Sequence, residues 1–207
     1  MQFDNLPSNP YLNIVSSIIR EGIIQCIPKL NNSDNEDLKN QLLTETFNKI
    51  GTVSEELWIG VSKENNSIGK QTREDIYFYL NDDRSTRVFY VEGKRLPKYN
   101  TQFNEEYVIG KNNSGNPSGG IERFRKGIHG EANRIIDNAL IGYIENNSIE
   151  YWLRKVNESI SLNFNSDEIL NKKEKRNNEY ISSHQFELEN KLVNFRLHHF
   201  WINLINK

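Results

Sequence analysis

The chain has few of the residues that would tie it to an oxidising compartment, a zinc site or a membrane. Cys26 is its only cysteine, which excludes an internal disulfide and a cysteine-based zinc site. No apolar run reaches the roughly 18 residues of a membrane span. The N-terminus also lacks the basic segment and apolar stretch of a secretory signal. These absences predict a cytoplasmic protein that does not associate with a membrane.

The excess of positive charge that most DNA-binding domains carry is also missing. Lys and Arg number 26 against 28 Asp and Glu, and the formal net charge is −2 at pH 7. Such a balance disfavours tight non-specific binding to DNA. A nuclease is not excluded, because the acids of a metal site lower the net charge while a local basic face can still meet phosphate.

The length of 207 residues fits one domain with a small extension. Two apolar clusters near the N-terminus, at residues 12–19 and 23–30, are bracketed by prolines. The spacing in the first cluster predicts a short helix, and the pattern does not define the conformation of the following segment, which ends near Pro28. We therefore expect an N-terminal helical extension over residues 1–30 and one domain over residues 31–207.

A longer helix is predicted at the start of that domain. Apolar residues between Leu38 and Ile50 recur at helical spacing. Ser33 or Asp34 provides the start signal, and Gly51 provides the stop.

The apolar pattern then changes from helical to strand-like. Three runs rich in aromatic and β-branched residues predict an antiparallel meander, at residues 57–61, 75–80 and 87–92. The remaining pattern predicts a helix at 121–127 that continues through 134–138, a buried strand at 139–144, a helix at 149–160, a loop at 165–179 and a last strand or helix at 195–204. The central order is therefore helix, three strands, helix, strand.

Three charged residues occur at the ends of the predicted strands. Asp75 begins the second strand, and Glu92 and Lys94 stand at the end of the third. A hairpin of this length can return the end of the third strand to the start of the second. Residues two apart on a strand share one face, so we expect Glu92 and Lys94 to lie side by side with Asp75 close to them.

These residue types suit phosphodiester hydrolysis. The reaction needs a hard cation that polarises the phosphoryl oxygen and activates water. Mg²⁺ takes oxygen ligands, so a pair of carboxylates such as Asp75 and Glu92 fits it. A lysine beside them is able to orient or deprotonate the water, or to stabilise charge on the phosphate.

This arrangement resembles the PD-(D/E)xK superfamily of nucleases. Asp75 matches the first acid of the family motif, and Glu92-Gly93-Lys94 matches its Glu-x-Lys. The proline of the defining Pro-Asp pair is absent, because Glu74 precedes Asp75. The resemblance implies that Asp75 and Glu92 bind Mg²⁺, that Mn²⁺ substitutes for it, and that Lys94 acts on the attacking water.

In that superfamily a helix before the sheet often supplies another acid. Glu36 and Glu45 are both candidates here, and Glu36 is included among the expected catalytic residues. The resemblance further implies an α/β fold with a restriction-endonuclease-like core, in which helices cover both faces of a mixed β-sheet.

Segments outside the motif are similar to small defence-associated bacterial members of the superfamily. They comprise residues 119–124, 140–143 and 180–184, within a resemblance that spans roughly residues 35–204. They imply cleavage of DNA in defence against phage or other foreign DNA. The partners implied are DNA together with either a second copy of the chain or another protein of a defence system.

Basic residues after the motif are the candidates for binding substrate. We expect Arg95, Arg123, Arg125 and Lys126 to flank the acidic cluster and contact phosphate. A solvated helix face is the alternative for the last three. His184 either contacts substrate or is a structural histidine.

Two other functions fit the same pattern. A non-catalytic protein with the nuclease fold would bind nucleic acid or a partner protein. A small protein–protein module would have a meander that merely resembles the family. In that case Asp75 would be a cap, and Glu92 and Lys94 would be solvated charges at a strand end.

Overall fold

The computed structural model describes most of the chain. The described residues are 9–52, 59–63, 76–96, 106–129, 135–174, 176–188, 191–205 and 207, with the backbone alone at 187, 188 and 191. Its helices are α1 (Leu12–Cys26), α2 (Glu36–Gly51), α3 (Gly120–Arg125) and α4 (Ile149–Asn163), with short 3-10 turns at Ile27–Lys29 and Ser166–Glu168. Its strands are β1 (Ile59–Ser62), β2 (Ile76–Leu80), β3 (Arg87–Leu96), β4 (Asp137–Ile144), β5 (Asn171–Lys172), β6 (Glu179–Leu188) and β7 (Lys191–Asn203).

The described strands form one mixed sheet in the order β1-β2-β3-β4-β7-β6-β5. Strands β1, β2 and β3 pair antiparallel, which confirms the predicted meander. Strand β4 pairs parallel with both β3 and β7, whereas β6 pairs antiparallel with β7 and β5. The expected mixed α/β architecture is therefore present.

Helices cover both faces of the sheet. Successive side chains of a strand point to opposite faces, so one strand contributes to the core on each side. Ala139 and Ile141 of β4 pack in a core cluster with α1 and α2. Leu140 and Ile144 of the same strand pack in a second cluster with α3 and α4. None of the helices in the described part of the chain is long and apolar enough to cross a membrane.

Helix α1 continues further than the sequence pattern predicted. The segment before Pro28, whose conformation the pattern did not define, is helical, since the helix runs without a break to Cys26. Gly22 allows α1 to pack closely against α2, because a Cβ there would lie 2.2 Å from Cδ1 of Phe47 in α2. Pro28 falls in the 3-10 turn that follows, at a first-turn position where proline is tolerated.

The start of α2 also differs from the prediction. Neither Ser33 nor Asp34 caps the helix. Asn35 is the N-cap, and its side chain accepts a hydrogen bond from the backbone N–H of Leu38. Asp34 instead accepts a hydrogen bond of 3.0 Å from the backbone N–H of Asn31, which closes the preceding turn.

The second half of the chain contains more strand than was predicted. The predicted continuation of a helix through residues 134–138 is wrong, because β4 begins at Asp137. The predicted loop at 165–179 holds a 3-10 turn and the short strand β5. Strand β6 was not predicted, whereas the predicted strand at 195–204 is confirmed by β7.

Candidate active site

The candidate site lies at the C-terminal end of β3, on the face that α3 covers. Glu92 and Lys94 are both buried there, with 1% and 6% of their surface exposed. Gly120, the first residue of α3, packs over Lys94 and Leu140, since a Cβ on it would lie 3.3 Å from Cγ of Lys94 and 2.4 Å from Leu140. The alternation expected for a strand has therefore placed Glu92 and Lys94 side by side.

Three cationic or ionisable groups surround the Glu92 carboxylate. Lys94 Nζ lies 2.9 Å from Oε1, and Arg123 donates a hydrogen bond of 2.8 Å to the same oxygen. Nε2 of His129 lies 3.1 Å from Oε2. Burial by itself raises the pKa of Glu92, but the positive charges of Lys94 and Arg123 hold that pKa well below its usual range. Glu92 is therefore a carboxylate at any ordinary pH.

Glu36 supplies a second carboxylate from the first turn of α2. Its Oε1 lies 3.4 Å from Lys94 Nζ, and its Oε2 accepts a hydrogen bond of 3.2 Å from the backbone N–H of Arg95. The other helix acid, Glu45, is exposed and pairs with Gln41. Glu45 lies nine residues further along the helix, which is about 13 Å at 1.5 Å per residue. The structure thus brings Glu36 to Lys94 and leaves Glu45 on the outer surface.

The first acid of the motif, Asp75, lies outside the described residues. The next residue, Ile76, is described and begins β2. It pairs antiparallel with Val91, which directly precedes Glu92.

The four basic residues predicted to bind phosphate all pair with carboxylates. The pairs are Arg95 with Glu145, Arg123 with Glu92, Arg125 with Glu168, and Lys126 with Glu122. Of these four cations, Arg123 is the one whose guanidinium lies against Glu92. The expected basic face is therefore largely balanced by neighbouring acids.

His184 lies in a buried hydrogen-bond chain on the same face of the sheet. Its Nδ1 is 2.6 Å from Glu168, and its Nε2 is 2.7 Å from the hydroxyl of Ser182. That hydroxyl also lies 2.7 Å from Nε2 of His199, whose Nδ1 is 2.8 Å from the hydroxyl of Tyr107. Both ring nitrogens of His184 are engaged inside the fold, and burial lowers its pKa. This position favours the structural alternative for His184.

A buried ion-pair network that the sequence did not reveal positions Glu36. Lys39 has no exposed surface, and its Nζ lies 2.9 Å from Glu145, the residue that directly follows β4. Arg95 donates two hydrogen bonds to the same carboxylate, and Asn32 donates to the backbone carbonyl of Glu145. Because Lys39 is three residues after Glu36, this network anchors the helix turn that presents Glu36 to Lys94.

His129 is a second residue that sequence reasoning missed. It is 2% exposed and faces Glu92 from the turn after α3. Burial lowers its pKa, and Glu92 opposes that shift, so the ring is neutral near pH 7. A single histidine after a basic helix has no partner residue at a fixed distance along the sequence. Its residue type was therefore the only indication of a functional role.

Some of the described donor atoms suit a divalent cation. Within the described ranges, no group of three His, Cys, Asp or Glu side chains comes together to hold a metal ion. Oε2 of Glu92 is buried there without a hydrogen-bond partner, which is costly unless a ligand or ion satisfies it. A carboxylate oxygen is the donor type that Mg²⁺ and Mn²⁺ take, so Glu92 fits such an ion.

The sequence matches no protein-family model, no curated protein and no solved structure at a significant level.

Proposed function

We propose that this protein is a metal-dependent nuclease of the PD-(D/E)xK type that hydrolyses DNA phosphodiester bonds. The observation that carries the proposal is the position of Lys94 Nζ, which lies 2.9 Å from Glu92 and 3.4 Å from Glu36. A buried lysine between two carboxylates at a strand end is what the Glu-x-Lys motif requires. The order α2, β1, β2, β3, α3, β4 agrees with the helix, three strands, helix and strand expected of a restriction-endonuclease-like core.

In this proposal Asp75 and Glu92 hold the cation. Glu92 is suited to that role because its pKa is depressed, so no proton competes for the carboxylate. When bound, a divalent cation polarises the phosphoryl oxygen and lowers the pKa of a coordinated water. Mg²⁺ is the proposed cofactor, with Mn²⁺ as a substitute.

Lys94 and Arg123 supply positive charge from the protein itself. An ammonium group has donors but no lone pair, so Lys94 orients the attacking water and stabilises charge on the phosphate. Arg123 brings a guanidinium to the same carboxylate, where the phosphate would also lie. Preorganised cations of this kind act strongly in a buried site because little water screens them.

The proposed setting is defence against phage or other foreign DNA in the cytoplasm. This part rests on the resemblance of residues 119–124, 140–143 and 180–184 to defence-associated members of the superfamily. Cleavage of both strands of a duplex needs two sites, so we propose a homodimer or a partner protein of the same system.

One observation favours a non-catalytic alternative. Both Lys94 and Arg123 bind Oε1 of Glu92, as in a site where protein cations have replaced a metal ion. Such a protein would keep the nuclease fold and bind nucleic acid or a partner protein. Titration with Mn²⁺ separates the two, because the nuclease binds the ion through Glu92 and the alternative does not.

The direct test is cleavage of plasmid and single-stranded DNA with and without Mg²⁺. We expect the wild-type protein to cleave only with the metal, and Lys94→Ala to lose at least about 100-fold, since comparable electrostatic groups contribute about 3–4 kcal/mol. Lys49→Ala is the matched control, because Lys49 is exposed in the last turn of α2, about 20 Å from Glu36 along the helix.

Thermal unfolding of each variant shows whether it is folded. Undiminished cleavage by a folded Lys94→Ala variant would show that the active site lies elsewhere. Absence of cleavage by the wild-type protein on any nucleic acid, with or without a partner, would favour the non-catalytic alternative.

A further inference from the structure

His129 and Glu92 approach each other closely without forming a hydrogen bond. Nε2 of His129 lies 3.1 Å from Oε2 of Glu92, and the two residues are 2% and 1% exposed. Neither of these two atoms, nor Nδ1 of the ring, has a hydrogen-bond partner among the described residues. Buried polar atoms are nearly always satisfied in native proteins, so this arrangement points to a group that lies between them.

The separation of the two atoms fits two ligands of one metal ion. Ligands at about 2.1 Å from a cation, set at a right angle, lie about 3.0 Å apart. The observed 3.1 Å agrees with that spacing. The other oxygen of Glu92 is held by Lys94 and Arg123, which fixes the carboxylate with Oε2 turned toward the imidazole.

We propose that His129 is a metal ligand that shares one divalent cation with Glu92 through Nε2. The proposal rests on the proposed function and adds a nitrogen donor to the metal site. Imidazole favours first-row transition metals, whereas Mg²⁺ prefers oxygen ligands alone. The site should therefore bind Mn²⁺ or Co²⁺ more tightly than Mg²⁺.

Electrostatics permits a cation at this position. Glu92 and Glu36 carry two negative charges, which Lys94 and Arg123 balance. A neutral imidazole adds a lone pair without adding charge.

The test is metal binding by the purified full chain, measured with Co²⁺ and separately with Mg²⁺. Calorimetry gives the two affinities, and visible absorption of bound Co²⁺ reports nitrogen ligation. We expect Co²⁺ to bind at least about tenfold more tightly than Mg²⁺, in line with the affinity order of divalent metals. His129→Ala should lose at least about tenfold in Co²⁺ affinity and change its absorption spectrum, while Mg²⁺ affinity changes much less.

His198→Gln is the matched control. It replaces another buried histidine, which contacts Asp137 at 2.9 Å and not Glu92, and it should leave Co²⁺ affinity unchanged. If His129→Ala is poorly folded, His129→Gln takes its place, since the amide fills similar space without an imidazole nitrogen.

Two results would overturn the inference. One is a wild-type protein that does not bind Co²⁺, and the other is a folded His129 variant that binds Co²⁺ as the wild type does. Cleavage assays test the nuclease proposal separately from the role of His129. Co²⁺ bound through His129 without cleavage of any nucleic acid refutes the nuclease alone, whereas Mg²⁺-dependent cleavage with unchanged Co²⁺ binding by the variant refutes the role of His129 alone.

Discussion

Gly93 lies directly against Asn40 of α2, where a Cβ on the glycine would be 2.1 Å from the Asn40 side-chain oxygen. That oxygen also accepts a hydrogen bond of 2.6 Å from the hydroxyl of Tyr143 in β4. The middle residue of the Glu-x-Lys motif therefore sets how closely α2 approaches the sheet. Because Glu36 begins that helix, Gly93 also sets the distance from Glu36 to Lys94.

Gly93→Ala should consequently reduce both stability and the proposed cleavage activity. Forcing a methyl group into a packed contact costs about 1–3 kcal/mol, and displacement of α2 moves Glu36 away from Lys94. Urea unfolding measures the first effect, and Mg²⁺-dependent cleavage measures the second. Asn40→Ala in the Gly93→Ala background should recover part of the loss, and a purely additive double variant would show that this contact is not the cause.

Glu36 and Glu45 should differ sharply although they share a helix. Glu36→Gln should lower Mg²⁺-dependent cleavage by at least about tenfold, within the range for a charged group at a reacting centre. Glu45→Gln should leave cleavage unchanged, because Glu45 is exposed and pairs with Gln41. Equal rates for the two variants would remove Glu36 from the site.

Glu145→Gln should be among the more destabilising single changes in the chain. It leaves Lys39 and Arg95 without their shared carboxylate, while Lys39 has no exposed side-chain surface. Removal of one partner from a buried ion pair costs about 3–5 kcal/mol. Glu158→Gln is the control, since Glu158 pairs with Arg154 in an exposed part of α4 and should unfold like the wild type. Matching losses in both variants would contradict the role of this network.

Stability should fall in acid partly because of Asp137. Burial opposes its ionisation, but His198, Arg196 and the backbone of Asn9 lower its pKa to about 2. A depressed pKa in the folded state stabilises the protein above the unfolded value of about 3.9, and this stabilisation is lost as the pH falls toward about 2. The free energy of unfolding of Asp137→Asn should therefore decline less between about pH 4 and about pH 2, by about 2 kcal/mol. Parallel curves for variant and wild type would exclude this role of Asp137.

The meander and the pairing of Glu92 with Lys94 could be predicted from the sequence because both follow local periodicity. Aromatic and β-branched runs define β2 and β3, and strand alternation places residues two apart on one face. The contact of Lys94 with Glu36 depends on how α2 crosses the sheet, and that of Glu92 with His129 depends on the turn after α3. No local pattern encodes either contact.

Polar residues at buried positions explain the missed strand elements. In β6 the inward-facing positions are Tyr180, Ser182, His184 and Phe186. Serine and histidine in the middle of that face interrupt the alternation of apolar and polar residues by which a strand is identified in a sequence. The start of β4 was assigned to a helix for the same reason, since Asp137 is buried by hydrogen bonds and ion pairs instead of by apolar packing.

The charge of Glu168 determines the direction of every hydrogen bond in the buried chain that leads to Tyr107. A carboxylate only accepts hydrogen bonds, so Nδ1 of His184 donates one to Glu168. Because burial keeps His184 neutral, its Nε2 accepts a hydrogen bond from the Ser182 hydroxyl. The Ser182 oxygen then accepts a hydrogen bond from Nε2 of His199, and Nδ1 of His199 accepts one from the Tyr107 hydroxyl. The two histidines are therefore opposite tautomers, which nitrogen-15 chemical shifts distinguish. His199, three hydrogen bonds away from Glu168, should change tautomer population in a Ser182→Ala variant, because the alanine removes the link through which that carboxylate orients it.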